Sequence, residues 1–482
     1  MATGIIILVV TFFILIVIGV PIAYSIGISG ILTMLVSIAT VPAFATYAQR
    51  MASGLDSFSL LAIPFFILAG NIMNKGGIAL RLVELAKVMV GKATGGLAFV
   101  NVFSNMLFGA ISGSAAASAS AIGSIMGPEM KKEGYDENFS AAVNITSSTT
   151  GLSIPPSNVL IVYSLASGGV SISALFIAGY IPGILTGLVI MLMAMSMLIF
   201  KQKGLAAAML NLVKILGVLF LVLGLFYAIN TYTPGGLRKW VNIGTIGLLL
   251  LIMTYINRDR AKDALHKFWR AVPSLMMLVL VIGGIVAGYF TATEASAIAV
   301  LYALVLALIY NEMTFRDLPD VLLHSVKTTA IVLFLVSTSI GLSWIMAYEN
   351  IPQTVSAALL NISDNPFVIL IIINIILLVV GTFMDMTPAI LIFTPIFLPI
   401  VTQQLGLDPI HFGIMLIMNL SIGLCTPPVG SVLFIGCSVA NVKIEKVVKP
   451  LIPIFVAMII VLLLVTYVPE LSLWLPRVVG AI

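Results

Sequence analysis

Two short runs carry the residue types from which a cation site can be built inside an apolar chain, Gly151-Leu-Ser-Ile-Pro-Pro156 and Gly423-Leu-Cys-Thr-Pro-Pro428. Adjacent prolines remove two backbone donors and glycine weakens a helix, so each run breaks the helix that contains it and frees carbonyl oxygens at depth. Carbonyls and hydroxyls are the oxygen donors that a hard cation such as sodium prefers. Two similar sodium sites are therefore expected. One draws on Gly151, Ser153 and Pro155 with Ser112 and Ser114, the other on Gly423, Thr426 and Pro427 with Gly381, Thr382 and Asp385. For each hydroxyl the competing reading is a back-bond to its own helix or a small-residue packing contact.

The two runs lie 272 residues apart, and the same offset joins Gly109 to Gly381, Gly134 to Gly406 and Asp136 to Asp408. Each break is preceded at equal distance by a turn-like run, Gly109-Ala-Ile-Ser-Gly-Ser114 in one half and Gly381-Thr-Phe-Met-Asp-Met386 in the other. Interrupted apolar segments at corresponding places of two halves point to the binding site of a secondary transporter. Asp385 is the one acid in either of these regions; a carboxylate at membrane depth marks an ion or solute path, the alternative being a solvated charge at a turn. No Lys or Arg occurs between Lys132 and Lys201, or between Lys327 and Lys443. An anionic solute would thus depend on backbone amides, half-helix N-termini, hydroxyls and the bound cations themselves for counter-charge. That couples the two bindings physically, because an uncompensated carboxylate at low dielectric is prohibitive. Glu294 reads as a solvated charge at a helix start, and His411 as a residue of the membrane interface.

Such breaks need a membrane around them. Apolar residues make up 61% of the chain and charged ones 9%, with a mean hydropathy of +1.20. That composition excludes a soluble domain and defines an all-α polytopic membrane protein. The net charge of +5 sits in short loops and reports orientation rather than a nucleic-acid partner. Cys425 and Cys437 lie in apolar runs and form no disulfide framework.

An apolar span over 2–20, without a basic leader, reads as a retained helix, and spans near 22–40 and 58–74 follow. Residues 75–92 carry Arg81, Glu84 and Lys87 at helical spacing and read as an amphipathic arm on the interface. From Ala93 to Pro128 there is no charge, yet the chain returns to another basic loop, Lys131-Lys132. A re-entrant hairpin turning at Ser112–Ser114 fits this pattern. The first broken helix then crosses outward, and a span near 176–200 returns to Lys201 and Lys203. In the second half come spans near 273–291, 293–311 and 328–347, an arm with Glu349 and Asp364, and a hairpin over 366–402 that neither Lys nor Arg flanks. This half enters from the opposite side, and its broken helix ends near Lys443, Lys446 and Lys449. The chain divides into a first inverted repeat over 1–204, an inserted helical pair with a basic inner loop over 205–270, and a second inverted repeat over 271–482. Inverted repeats let the two halves exchange roles on opposite membrane faces.

Five motifs carry a family resemblance: Gly-Ala-Ile-Ser-Gly-Ser at 109–114, Gly-Leu-Ser-Ile-Pro-Pro-Ser at 151–157, Phe-Thr-Ala-Thr-Glu-Ala-Ser at 290–296, Gly-Leu-Cys-Thr-Pro-Pro-Val-Gly at 423–430 and Leu-Ser-Leu-Trp-Leu-Pro at 471–476. The chain resembles the large membrane subunit of the tripartite ATP-independent periplasmic (TRAP) transporters over nearly its whole length outside 205–270. The resemblance implies an elevator-type transporter of the ion transporter superfamily, in which two hairpins and two broken helices slide against a scaffold. It implies import of an organic acid, of the sialic acid or C4-dicarboxylate type, driven by two or more Na+ ions. The implied partners are a small four-helix membrane subunit, a periplasmic substrate-binding protein, membrane lipid and a carboxylate solute, in the bacterial inner membrane. Essential serines are implied at Ser112 and Ser157 and an essential acid at Asp385; with Asn158 these are the expected solute contacts. The helical pair at 205–270 departs from the usual pattern. A sodium–dicarboxylate carrier without a binding protein shares the architecture, whereas a channel needs no such inverted repeat. An intramembrane enzyme is disfavoured, since no His/Glu metal pair or Ser/His dyad stands at helical spacing.

Overall fold

In the computed structural model, described for residues 2–90, 95–204, 206, 210, 261–427 and 429–482, every regular element is a helix. Among the described residues, eight helices are long and apolar enough to cross a membrane. Hydrocarbon offers no partner to an open N–H or C=O, so a chain of this composition closes its backbone bonds within helices. The protein is a multi-pass membrane protein.

The first half runs through α1 (Ala2–Val17), α2 (Ile22–Ser37), α3 (Thr40–Leu55), α4 (Ala62–Lys75), α5 (Ile78–Val90), α6 (Gly96–Ser112), α7 (Ala115–Lys132), α8 (Glu137–Ser148), the single turn α9 (Thr150–Ser153), α10 (Asn158–Ala166) and α11 (Ile172–Lys203). The expected helical pair of 205–270 falls on residues outside the described ones, apart from 206, 210 and the last ten. The last ten open α12 (Ala261–Val286), so a helix begins within the stretch expected to be a basic loop. Then come α13 (Ala292–Ile309), α14 (Leu318–Tyr348), α15 (Ile351–Ile362), α16 (Pro366–Phe383), α17 (Met386–Pro399), α18 (Pro409–Gly423), α19 (Ser431–Ala440), α20 (Ile444–Tyr467) and α21 (Glu470–Val479).

The offset seen in the glycines and prolines recurs in the helix boundaries. Helices α8, α10 and α11 begin at Glu137, Asn158 and Ile172, and α18, α19 and α20 at Pro409, Ser431 and Ile444, displaced by 272, 273 and 272 residues.

Two groups of helices pack around the breaks. In one, α14 lies against α2 and α3, and α4 against α13. Helix α3 falls where the sequence suggests no span. Its hold is Tyr47, whose ring fits over Gly30 of α2 and Gly341 of α14; a Cβ on either would come within 2.9 or 2.7 Å of ring atoms. The Tyr47 hydroxyl donates to the Thr338 carbonyl at 2.9 Å. Ile6, Val9, Val10, Phe13 and Ile14 of α1 stay exposed, as a lipid-facing helix requires.

In the other group, α6 and α7 lie along one another and on α8, whereas α16 packs on α18 and barely touches α17, which leans on α10 and α14 instead. Ion pairs fasten the face that carries the basic loops: Lys75 with Asp317 at 2.9 Å, Lys87 with Glu129 at 2.6 Å and Lys131 with Glu137 at 2.7 Å. The amphipathic arm α5 sets the Arg81 guanidinium 3.6 Å from the centroid of the Tyr310 ring.

Candidate functional site

The first break is built from α8, α9, α10 and the turn between α6 and α7. Helix α8 starts on Asp136, whose carboxylate accepts from Phe139 N at 2.9 Å. Pro155 and Pro156 offer no N–H to the carbonyls of Gly151 and Leu152, so the helix stops and residues 154–157 are non-helical before α10 restarts. The break nests on α11 because Gly179 and Gly183 present no side chain there. A Cβ on Gly179 would meet the Ser153 carbonyl, and one on Gly183 would come 3.3 Å from Ile154 N. Two small residues four apart allow this close backbone approach.

Gly109 and Gly151 touch backbone to backbone, a Cβ on Gly109 falling 2.7 Å from the Gly151 Cα. This contact lays the turn of α6 and α7 on the break. Gly113, at a φ of 61°, turns the chain where a Cβ would stand 3.3 Å from Asn158 N and 3.4 Å from the Pro156 carbonyl. Ser114 caps α7 by accepting from Ala117 N at 3.2 Å, and Ser112 Oγ lies 3.5 Å from the Ser114 carbonyl. At this junction Ser157 Oγ and Asn158 Oδ1 are buried without a partner among the described residues. Each such unpaired group costs about 1–3 kcal/mol, so native structures supply a ligand, an ion or water. Of the residues expected for the first site, Ser112, Ser114, Gly151, Ser157 and Asn158 gather at the turn and the break, while the Ser153 carbonyl faces α11 and Pro155 lies within the break.

The second break begins in the same way. A Cβ on Gly423 would fall 2.6 Å from the Gly381 Cα. Beyond that contact the halves diverge. Where the first turn has Gly113, the second has Asp385, an exposed carboxylate that caps α17 and accepts from Met386 N at 2.9 Å. Thr382 donates to the Val379 carbonyl at 2.7 Å and Thr426 to that of Ile422 at 2.8 Å. Both hydroxyls thus back-bond to their own helices and keep oxygen lone pairs to offer. The carbonyls here are engaged as well: Gly423 O accepts from Thr426 N at 2.9 Å, Leu424 O from Val432 N at 3.2 Å and Thr426 O from Gly430 N at 3.1 Å. Each retains a second lone pair. Pro427 follows directly, and no hydrogen bond among the described residues joins Asp385 to residues 423–427.

Sequence reasoning passes over the amides that pin each turn to its break. Asn105 donates to Asn144 Oδ1 at 3.0 Å and accepts from Ser118 Oγ at 2.7 Å, tying α6, α7 and α8. Asn419 donates to Asn374 Oδ1 at 2.8 Å, and Asn374 to Thr466 Oγ1 at 3.2 Å, tying α16, α18 and α20. Asparagine inside an otherwise apolar span is the signal that marks them. Glu294 closes a capping box, accepting from Thr291 N at 2.8 Å while its own N–H donates to Thr291 Oγ1 at 3.2 Å, in keeping with an N-terminal charge. His411 is buried within the protein, with Nδ1 2.8 Å from Ser472 Oγ and Nε2 3.2 Å from the Thr466 carbonyl.

A multi-pass helical frame holding two matched helix breaks, each locked by a glycine pair, has the architecture of a secondary-transporter permease. The chain belongs to the DctM component family of the tripartite ATP-independent periplasmic transporters, whose family model matches residues 9–471. It is 49% identical over 472 residues to the uncharacterized protein YgiK of Salmonella typhimurium, covering 98% of this chain and 97% of that one. It is 34% identical over 478 residues to the C4-dicarboxylate TRAP transporter large permease protein DctM of Rhodobacter capsulatus, covering 96% of each. The Alcanivorax borkumensis YdaH transporter shares the fold, with a TM-score of 0.55 and 13% identity over 90% of this chain and 88% of the other. The protein is a large permease subunit of a TRAP transporter.

Proposed function

We propose that this permease imports an organic acid across the bacterial inner membrane together with two or more sodium ions. A periplasmic substrate-binding protein delivers the acid, and a small four-helix membrane subunit completes the transporter. Residues 1–204 and 271–482 form inverted repeats. The pairs α6–α7 and α16–α17 are re-entrant, and they move with the broken helices as an elevator against the helices packed around α14. The relative from Rhodobacter capsulatus is named for C4-dicarboxylates, and we carry over the acid class alone.

The observation that carries this reading is the pair of oxygens without a partner among the described residues, Ser157 Oγ and Asn158 Oδ1, where the first turn meets the first break. Buried acceptors without donors call for a cation or for a solute that donates. Ser112, Ser114 and the backbone of Gly151–Pro155 would hold one sodium ion. Gly381, Thr382, Asp385 and the backbone of Gly423–Pro427 would hold another. Sodium supplies the positive charge that neither broken helix carries, and the solute carboxylate, held by Ser112, Ser157 and Asn158, binds once that charge is present. Uptake of the acid captured by the cognate binding protein tests this in proteoliposomes containing both membrane subunits. Replacing sodium by choline at constant potential should abolish uptake, and undiminished uptake without sodium would refute the coupling.

A further inference from the structure

A cleft of about 520 Å³ opens between the two groups of helices, away from the breaks. One wall is the end of α3 and the C-terminal part of α14; the other is Leu165 and Ala166 of α10 with Leu391 of α17. Helix α4 ends at Lys75, and α14 begins just after Arg316 and carries Lys327 in its third turn, both on the basic side. The opposite ends of these helices, where the cleft lies, therefore face the periplasm, from which solute arrives.

Among the described residues, the cleft holds one cation. The Arg50 guanidinium stands 5.5 Å from the centroid of the Trp344 ring and has no carboxylate partner among the described residues. Ser339 Oγ lines the same space; the residue is 1% exposed, and the oxygen is bonded to nothing among the described residues. Ser53, Ser57 and Ser343 add hydroxyls, and Asp56 adds one carboxylate. A guanidinium resting on an indole keeps its planar fork free for two parallel bonds to a carboxylate. The serines exchange hydrogen bonds with hydroxyl groups, and the Trp344 ring, stacked on Tyr348 with centroids 5.4 Å apart, steadies the guanidinium. A second carboxylate would meet Asp56 with no further cation among the described residues to offset it.

From these residues we infer that the cleft is an outer binding station for the solute and that it selects a polyhydroxylated monocarboxylate, a sugar acid, over a dicarboxylate. The inference rests on the transport reading above and deepens it by naming the solute class. Arg50, steadied by Trp344, receives the carboxylate, Ser339 completes its hydrogen bonds, and Asp56 accepts from hydroxyls while it repels dianions.

The test titrates the purified permease, with its small membrane subunit, against D-glucuronate and succinate by tryptophan fluorescence, the signal being assigned by its loss in Trp344→Phe. D-glucuronate should quench saturably and bind more tightly than succinate. Arg50→Gln should raise its half-saturation at least about tenfold, since both charge-assisted hydrogen bonds of the fork are lost. Arg50→Lys should recover part of that loss, which separates lost charge from misfolding, and Asp56→Asn should improve succinate relative to D-glucuronate. Wild-type preference for succinate, or unchanged D-glucuronate binding by Arg50→Gln, overturns the inference. Sodium-driven uptake in proteoliposomes keeps the two readings apart. Unchanged solute half-saturation in Arg50→Gln removes the cleft and leaves the transport reading standing, whereas wild type without sodium-driven uptake removes the transport reading itself.

Discussion

Replacing Gly151 by alanine perturbs the first break at its tightest point. The new methyl falls on the Gly109 backbone, its distance to the Gly109 carbonyl oxygen being 3.0 Å and those to the Cα and carbonyl carbon shorter still. Backbone cannot swing aside as a side chain can, so α6 and the break must part. Overpacking of a buried site costs about 1–3 kcal/mol, and here the parting also opens the junction of Ser112, Gly113 and Asn158. Gly423→Ala meets the same obstacle, 2.6 Å from the Gly381 Cα. Gly127→Ala is the matched control. It lies in α7, a Cβ there meets nothing within 4 Å, and alanine in a helix should stabilise by roughly 0.5–1 kcal/mol. Thermal unfolding of the purified variants in detergent, followed by loss of the monodisperse species, should place Gly151→Ala and Gly423→Ala well below wild type and Gly127→Ala at or above it. A Gly151→Ala protein that melts with wild type would show that this backbone contact does not hold the turn on the break.

In intact cells, cysteines placed at Lys131 and Lys446 should react with reagents from the cytoplasm and one at Gln404 from the periplasm, against the low background of buried Cys425 and Cys437. Labelling of position 404 from the inside alone contradicts the inverted repeat. Thr291→Ala removes the capping box of α13 and should lower stability by about 0.5–2 kcal/mol while uptake per folded molecule stays as in wild type; a changed sodium dependence would give the motif a role in transport. Asn419→Ala takes the donor from Asn374, bonded at 2.8 Å, and should destabilise by about 1–3 kcal/mol, read as a lower melting temperature with α16 more open to proteolysis. Unaltered protection of α16 would separate the amide pair from the placement of that helix.

The breaks are legible in the sequence because proline and glycine act on the backbone where they stand. Gly109, Gly151, Gly381 and Gly423 announce themselves by a common offset, yet only the fold shows that each pair meets backbone to backbone. Helix α3 is hidden because its 16 residues mix Tyr, Gln, Arg and Ser with alanine, and what holds it is Tyr47 wedged between glycines of two distant helices. The burial of His411 is hidden for a similar reason: its partners Thr466 and Ser472 come from helices far along the chain. The back-bonds of Thr382 and Thr426 depend on a side-chain torsion that no sequence pattern encodes. The difference between Gly113 and Asp385 is plain in the residues. Its consequence, a bare turn pressed on the break in one half and an exposed capping carboxylate in the other, needs the structure.

Sodium coupling through the oxygens of the breaks is tested most directly by the sodium dependence of uptake for wild type and Asp385→Asn, in proteoliposomes with both partner subunits supplied. The substitution keeps the shape of the cap at α17 and removes one negative charge. Coupling predicts a severe loss of uptake at low sodium, a higher half-saturating sodium concentration, and partial recovery at high sodium as the weakened site refills by mass action. An unchanged half-saturation together with an unchanged maximal rate would contradict it.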